Sequence, residues 1–149
     1  LRFGRPERGD LKGRRVADLA YGFYATPAWR ERIRQGEVPR FSGFDEAGAE
    51  FPEALWLVRH FKITQLALRC NNQTGQIAAA RAGFGVALLP HFLAAGDPAL
   101  AEVNLSKPLL TRELWLLTRP DVQTNPRLRA ATDFISELIQ RERPLFEGR

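Results

Sequence analysis

The central part of the chain alternates between apolar runs and polar turns in an order that predicts a β-α-β unit. Residues 65–70 form a strand-like run, and the turn Asn71-Asn72 can cap the helix that follows over residues 74–82. Gly83 suits the left-handed end of that helix, and residues 86–90 are an uninterrupted apolar strand. A strand without a polar face is covered on both sides, which is typical of a parallel or mixed sheet between helices. The pattern therefore predicts the α/β class.

The rest of the chain predicts further strands and helices on both sides of this unit. Apolar and aromatic runs indicate strands at residues 1–4, 16–25, 40–44, 100–105 and 113–118, with a polar loop between the first two. Helices are predicted at residues 27–35 after a Thr26 cap, 50–61, 91–94 and 126–141. The inner stripe of the second of these helices is predicted to be Ala54, Leu55, Val58 and Phe61, and that of the last to be Leu128, Ala131, Ile135 and Leu138.

The composition is that of a folded globular protein. Of the 149 residues, 44% are hydrophobic and 26% are charged, and no apolar stretch reaches the roughly 20 residues that a membrane span requires. The sequence contains no Met, so we expect it to be a piece of a longer protein. The lone Cys70 cannot form an internal disulfide, which favours a reducing intracellular setting.

The net charge of +5 is concentrated near the start of the chain. Residues 1–15 contain six basic and two acidic side chains. The basic residues are spread among Gly and Pro without interleaved aromatic residues, so a solvated loop and a contact with a polyanion both remain open.

Several segments, in this order, resemble the effector-binding domain of LysR-type transcriptional regulators. Each segment alone is weak evidence, but together they span nearly the whole chain with the spacing of that family. The segments are Leu1–Gly4, Asp10–Arg15 with Leu19, Tyr24–Trp29, Ala79–Pro90, Glu113–Thr118 and Pro126–Arg129.

The resemblance implies a type II periplasmic-binding-protein-like fold, in which two Rossmann-like α/β subdomains joined by crossover strands hold a small molecule between them. Residues 1–26 would be part of the first subdomain, residues 27–100 the second, and residues 101–149 a return to the first through a crossover strand, the strand at 113–118 and the helix at 126–141. The first subdomain is expected to be incomplete. The inner face of Leu114, Leu116 and the last helix should then lack its usual covering.

The same resemblance implies a bacterial, cytoplasmic regulator that responds to a small-molecule effector and uses no cofactor. DNA binding is implied for a winged helix-turn-helix that this sequence does not contain. A homo-oligomer, dimer or tetramer, is implied through the effector domains. The helix at residues 50–61, with Trp56 and Leu57 outside its inner stripe, is compatible with such a contact.

The turn Asn71-Asn72-Gln73-Thr74 is the first candidate for the effector site. It lies between the carboxyl end of a strand and the start of a helix, where free amides and the helix dipole favour an anion, and it matches the family's effector-cleft loop. The alternative is that one Asn only caps the helix. If the resemblance holds, Arg2 and Phe3 face the same cleft, and Arg2 could bind a carboxylate; a structural ion pair is the alternative.

Other residues carry weaker hypotheses. Phe23, Tyr24 and Phe44 could line the pocket, although core packing is the more usual role for such aromatics. Gly83 and Gly85 follow a helix and precede a strand, the reverse of a dinucleotide-binding loop, and are expected to be structural.

Catalytic and metal sites are not predicted. His60, His91 and Cys70 show neither metal-ligand spacing nor a paired base, so the chain is not predicted to be an enzyme.

Two other functional classes are also compatible with the sequence. A solute-binding protein of a transporter would share the fold and also bind a ligand without chemistry. A polyanion-binding module would use the basic residues 2–15 and would bind DNA in a salt-dependent way.

Overall fold

A computed structural model of the chain describes residues 1–4, 11–120 and 125–148. Residues 5–10 of the basic segment lie outside this described part. The chain divides into two compact units, the first formed by Leu1–Ala20 with Thr111–Arg149 and the second by Tyr21–Leu110. The assignment of these units to the two lobes of a binding protein stays a prediction.

Unit 1 contains an antiparallel sheet and two helices. Its strands are β1 (Arg2–Phe3), the first part of β2 (Lys12–Ala25) and β7 (Thr111–Thr118), and its helices are α5 (Pro126–Arg141) and α6 (Arg143–Glu147). Strand β7 lies between β1 and β2, and a bulge interrupts the β2 pairing between Arg15 and Ala17. Residues 12–15, predicted to be loop, pair with β7 and are strand. The side chains of this segment show no apolar strand pattern, so the sequence did not predict the pairing. Backbone hydrogen bonds to β7 form this part of the strand.

The packing of unit 1 corrects two expectations. Leu114 and Leu116 are buried, so the prediction that they lack a covering is wrong. The predicted inner stripe of α5 is also wrong, because the buried residues of this helix are Ser136 and Ile139. Ser136 Oγ accepts a hydrogen bond from the Arg14 guanidinium. Leu128, Leu138 and the neighbouring Phe134 are exposed, as expected for a helix face without its covering.

Unit 2 is built around a mixed sheet. Its remaining elements are α1 (Pro27–Arg34), β3 (Phe41–Phe44), α2 (Pro52–His60), β4 (Leu66–Cys70), α3 (Gln73–Arg81), β5 (Val86–Pro90), α4 (His91–Ala94) and β6 (Ala101–Glu102). The strand order is β6-β2-β5-β3-β4, with β5, β3 and β4 parallel and β2 antiparallel to β5 and β6. Strands β4 and β5 each pair in parallel with β3, and all five residues of β5 are buried, which confirms the predicted β-α-β unit.

Helix α2 packs through a different face from the one that the sequence predicts. Leu57 and Glu53 are buried, whereas Leu55 and Val58 of the predicted inner stripe are 40% and 49% exposed. Trp56 lies against Phe23, with ring centroids 5.7 Å apart. Positions 54–58 are all apolar, so the periodicity does not select a face. Packing against the sheet selects the face, and because Leu57 is buried it is not available for the predicted contact between subunits.

None of the helices in the described residues is long and apolar enough to cross a membrane.

Candidate functional site

The polar turn between β4 and α3 begins with an N-cap. Asn72 has an extended backbone (φ −154°), and its Oδ1 accepts a hydrogen bond from the Gly75 amide at 2.8 Å. Its Nδ2 donates to Oδ1 of Asn71 at 2.8 Å. Asn72 thus caps the helix, which agrees with the alternative that one Asn of the turn is a helix cap. Asn71 orients the side-chain amide of Asn72.

Capping leaves part of the turn free to contact a ligand. The side chains of Asn71 and Thr74 are exposed. The helix supplies no acceptor for the amides of Gln73 and Thr74, its first two residues, and the positive end of the helix dipole lies at the same point. Strand β4 pairs in parallel with β3, so the turn lies at the carboxyl edge of parallel strands. Ligands of open α/β sheets bind at this edge.

A group of buried polar side chains, not predicted from the sequence, lies behind the turn. Nε2 of Gln73 donates to Oε1 of Glu53 at 3.5 Å, a long hydrogen bond, and Glu53 is 7% exposed. Glu53 lines a cavity of about 10 Å³ together with Ser42 and Gln76, which are 1% and 2% exposed. We call this the polar cavity. The available sequence signal was Gln76, a polar residue on the otherwise Ala-rich inner face of α3.

Arg2 and Phe3 belong to unit 1, whereas the turn belongs to unit 2. Both are exposed, and they pair with Trp115 and Leu114 of β7. The guanidinium of Arg112 lies 4.8 Å from the centre of the Phe3 ring. Their membership of one site with the turn stays a prediction.

A larger cavity of about 490 Å³ lies at the opposite edge of the unit 2 sheet, lined by Phe23, Glu102, Val103, Asn104, Leu105, Lys107 and Leu109. Its volume is in the range of small-molecule pockets. Between this edge and the turn lie β5 and β3, which at the usual strand spacing corresponds to about 15 Å or more. The two sites of unit 2 are therefore separate.

The aromatic candidates Phe23, Tyr24 and Phe44 are all buried, which agrees with core packing. Phe23 also lines the large cavity, and Phe44 lines the polar cavity. The hydroxyl of Tyr24 lies 2.5 Å from Nδ1 of His91. Burial, with a smaller effect from Glu102, raises the pKa of Tyr24, so the hydroxyl stays protonated.

The side chains with catalytic potential have structural partners. His91 contacts Tyr24, and the ring of His60 stacks on Trp56 at 4.0 Å while its Nδ1 lies 2.8 Å from the Trp56 carbonyl oxygen. Burial and the nearby Asp45 carboxylate raise the pKa of the Cys70 thiol, which disfavours the nucleophilic thiolate. Within the described residues no group of His, Cys, Asp and Glu side chains could hold a metal ion.

Unit 1 has its own cavity, of about 290 Å³, whose lining includes more basic than acidic side chains. Lys12, Arg14 and Arg129 line it, with Asp133 as the acidic residue. This cavity is the structural counterpart of the polyanion alternative, although residues 5–10 of the basic segment lie outside the described part of the chain.

Comparison with known proteins identifies the domain family to which the chain is similar. Residues 47–140 match the LysR substrate binding domain family. The chain is 25% identical over 142 residues to the Mau operon transcriptional activator of Paracoccus denitrificans, covering 93% of this chain and 47% of that protein. The chain therefore spans about half the length of this curated relative.

Solved structures show the same fold. The regulatory domain of CrgA, a LysR-type transcriptional regulator from Neisseria meningitidis, matches with a TM-score of 0.67 at 19% identity, covering 91% of this chain and 72% of that one. ArgP from Mycobacterium tuberculosis matches with a TM-score of 0.64 at 19% identity, over 90% of this chain and 48% of that one. The Paracoccus relative and CrgA are transcriptional regulators and not solute-binding proteins of transporters. The chain belongs to the LysR substrate-binding domain family and has its α/β, type II periplasmic-binding-protein-like fold.

Proposed function

We propose that this chain binds a small effector at the turn Asn71–Thr74 and that this binding alters transcription by a longer LysR-type regulator. The observation that carries the proposal is the exposed polar turn at the carboxyl edge of β4. It presents two amides without a helical acceptor and the side chains of Asn71 and Thr74. The effector changes transcription only as far as it binds one conformation of the regulator more tightly than another.

The helix terminus supports an anionic effector, and a small carboxylate is the class that we propose. Amide donors and the helix dipole favour negative charge at this position. Arg2 and Phe3 are further proposed contacts, supported by their exposure on β1 and by the chemistry of a guanidinium toward a carboxylate.

The longer protein would act in the cytoplasm and bind DNA through a winged helix-turn-helix outside this chain. We propose that it forms a dimer or tetramer through its effector domains. The exposed Leu55 and Val58 of α2 are the apolar residues of that helix that remain available for such a contact. In this role the chain senses a ligand and catalyses no reaction.

A ligand screen tests the proposal. The chain is heated with small carboxylates, amino acids and neutral aromatic compounds, and the shift in melting temperature is measured. A ligand at a hundred times its dissociation constant stabilises the folded state by about 2.7 kcal/mol. Carboxylates should shift the wild type, and Thr74→Val should weaken that shift while Thr64→Val, an exposed site between α2 and β4, should not. Shifts by neutral compounds alone would contradict an anion site at the turn.

The basic cavity of unit 1 supports a second candidate function, polyanion binding. Lys12, Arg14 and Arg129 would contact phosphates, so binding would weaken steeply with salt. Fluorescence anisotropy with a DNA duplex at 50 and 200 mM salt tests this. Undetectable binding at 50 mM salt rejects this candidate.

A further inference from the structure

The polar cavity lies at the carboxyl end of β3, between the first turns of α2 and α3. Its polar wall consists of Ser42 on β3, Glu53 on α2 and Gln76 on α3, and its apolar wall includes Phe44 and Leu57. Its volume of about 10 Å³ is that of a single water-sized sphere. It therefore has room for one oxygen or nitrogen atom.

Two of the three polar side chains need a partner. Ser42 Oγ and Gln76 Nε2 are buried and have no hydrogen-bond partner among the described residues. Burying a polar group without a partner is unfavourable, so an atom that bonds to both is favoured in this cavity.

The hydrogen-bonding pattern of the wall selects the kind of atom. Gln76 Nε2 only donates, the Ser42 hydroxyl donates or accepts, and the Glu53 carboxylate accepts when it is ionised. A hydroxyl oxygen donates one hydrogen bond and accepts two, so it satisfies all three groups. An ammonium has no lone pair for Gln76 Nε2, and a carboxylate has no proton to donate to the Glu53 carboxylate.

The cavity is connected to the candidate effector site through one side chain. Gln73, the first residue of α3, reaches from the turn to Oε1 of Glu53. The 3.5 Å separation is at the long limit of a hydrogen bond, so this contact is weak and a ligand hydroxyl can replace it.

We propose that the polar cavity receives a hydroxyl group of the effector, which is then a hydroxycarboxylic acid. This inference rests on the proposed function, because the carboxylate would occupy the amides at the start of α3 while the hydroxyl enters the cavity behind them. The hydroxyl donates to Glu53 and accepts from Gln76 and Ser42. A bound water offers the same hydrogen bonds, and the experiments below distinguish the two sources.

Matched acids test the inference by calorimetry. Each pair differs by one hydroxyl, for example lactate and propionate, 3-hydroxybutyrate and butyrate, and the three hydroxybenzoates with benzoate. The wild-type chain should bind one hydroxylated acid at least tenfold more tightly than its partner. Ser42→Ala and Gln76→Leu should each reduce that preference severalfold. Ser42→Ala removes an unpartnered hydroxyl, so its folding is not at risk.

Equal affinities within every pair, or a preference that both variants retain, overturn the inference. A crystal structure with a bound hydroxy acid decides between the two sources of the oxygen. The ligand hydroxyl in the cavity supports the inference, and an ordered water there with the ligand hydroxyl elsewhere rejects it.

A probe without a carboxylate separates this inference from the proposed function. Methanol and acetonitrile are titrated into the ¹⁵N-labelled chain, and the side-chain amide signals of Gln76 are followed. A saturable shift with methanol and none with acetonitrile shows that the cavity accepts a hydroxyl, even if every acid fails to bind and the proposed function falls. Binding of acids at the turn without any methanol effect leaves the proposed function standing and rejects the hydroxyl site.

Discussion

The indole nitrogen of Trp29 donates a hydrogen bond to the carbonyl oxygen of Gly83 at 2.6 Å. Trp29 lies on α1 and is 5% exposed, and Gly83 follows the last turn of α3 in the left-handed conformation (φ +79°). The two residues come from separate segments of the LysR resemblance, Tyr24–Trp29 and Ala79–Pro90. The bond joins the helix that follows β2 to the helix that begins at the candidate site, so it holds the C-terminal end of α3 in place.

We predict that Trp29→Phe destabilises unit 2 by about 1 kcal/mol. Phe keeps an aromatic ring but cannot donate, and a hydrogen bond of this kind contributes roughly 0.5–1.5 kcal/mol. Urea denaturation followed by circular dichroism measures the change. Trp115→Phe is the control, because that indole donates to the partly exposed Glu113 and should change the free energy of unfolding less. An unchanged stability of Trp29→Phe would contradict the structural role of the bond.

The glycines after α3 should differ in their tolerance of a side chain. At Gly85 (φ +146°) a Cβ would lie 2.3 Å from the Arg40 carbonyl oxygen, which accepts a hydrogen bond from Val86. At Gly83 a Cβ would meet nothing within 4 Å. We expect Gly85→Ala to cost about 3 kcal/mol or more, from strain and overlap together, and Gly83→Ala about 1 kcal/mol. Thermal denaturation of both variants measures the difference, and equal costs would contradict the predicted overlap.

The elements that were predicted correctly from the sequence are those with only one plausible arrangement. Strand β5 is apolar at every position, and α3 has an Asn cap at one end and a glycine at the other. Helix α2 is apolar at all of positions 54–58, so its inner face depends on packing against the sheet, whose strands are distant in sequence. The polar cavity could not be predicted for the same reason, because Ser42, Glu53 and Gln76 come from three elements.

Two substitutions on α2 test which face of the helix is buried. Leu57 is 6% exposed and Val58 is 49% exposed. Leu57→Ala should destabilise the chain by about 3 kcal/mol through lost burial and a residual cavity, and Val58→Ala should change stability by less than about 0.5 kcal/mol. Chemical denaturation of the two variants gives the comparison. The reverse order of effects would restore the face predicted from the sequence.

Asp97 should make the stability of unit 2 depend on pH. Its carboxylate accepts hydrogen bonds from the Ala99 amide at 3.0 Å and from Nε of Arg81 at 2.5 Å, and these two contacts lower the pKa of Asp97. The folded state therefore holds the proton less tightly than the unfolded state, whose pKa is about 3.9. The stabilisation is fully present above that pH and disappears as the pH falls through the lower pKa of the folded state.

Comparison of the wild type with Asp97→Asn at several pH values measures this effect. The variant should be less stable at pH 7, and the difference should shrink as the pH falls below about 4, where the unfolded state of the wild type takes up the proton before the folded state does. A difference that is constant from pH 7 to pH 3 would show that the carboxylate charge contributes nothing.

Substitutions of Asn72 separate the capping role of the turn from its proposed role in binding. Asn72→Ala removes the acceptor for the Gly75 amide and should cost about 1 kcal/mol of stability. Asn72→Asp keeps an acceptor and adds negative charge at the start of α3, so it should leave stability unchanged or raise it slightly.

The negative charge of Asn72→Asp also repels an anion at the neighbouring amides of Gln73 and Thr74. The affinity for a carboxylate effector should therefore fall about tenfold or more in Asn72→Asp, since neighbouring like charges cost more than 1 kcal/mol at low effective dielectric. Calorimetric titration of each variant at matched ionic strength measures the affinity, and urea denaturation measures the stability. If Asn72→Asp binds the carboxylate as tightly as the wild type, the turn only caps α3, and the effector contacts must lie elsewhere in the chain.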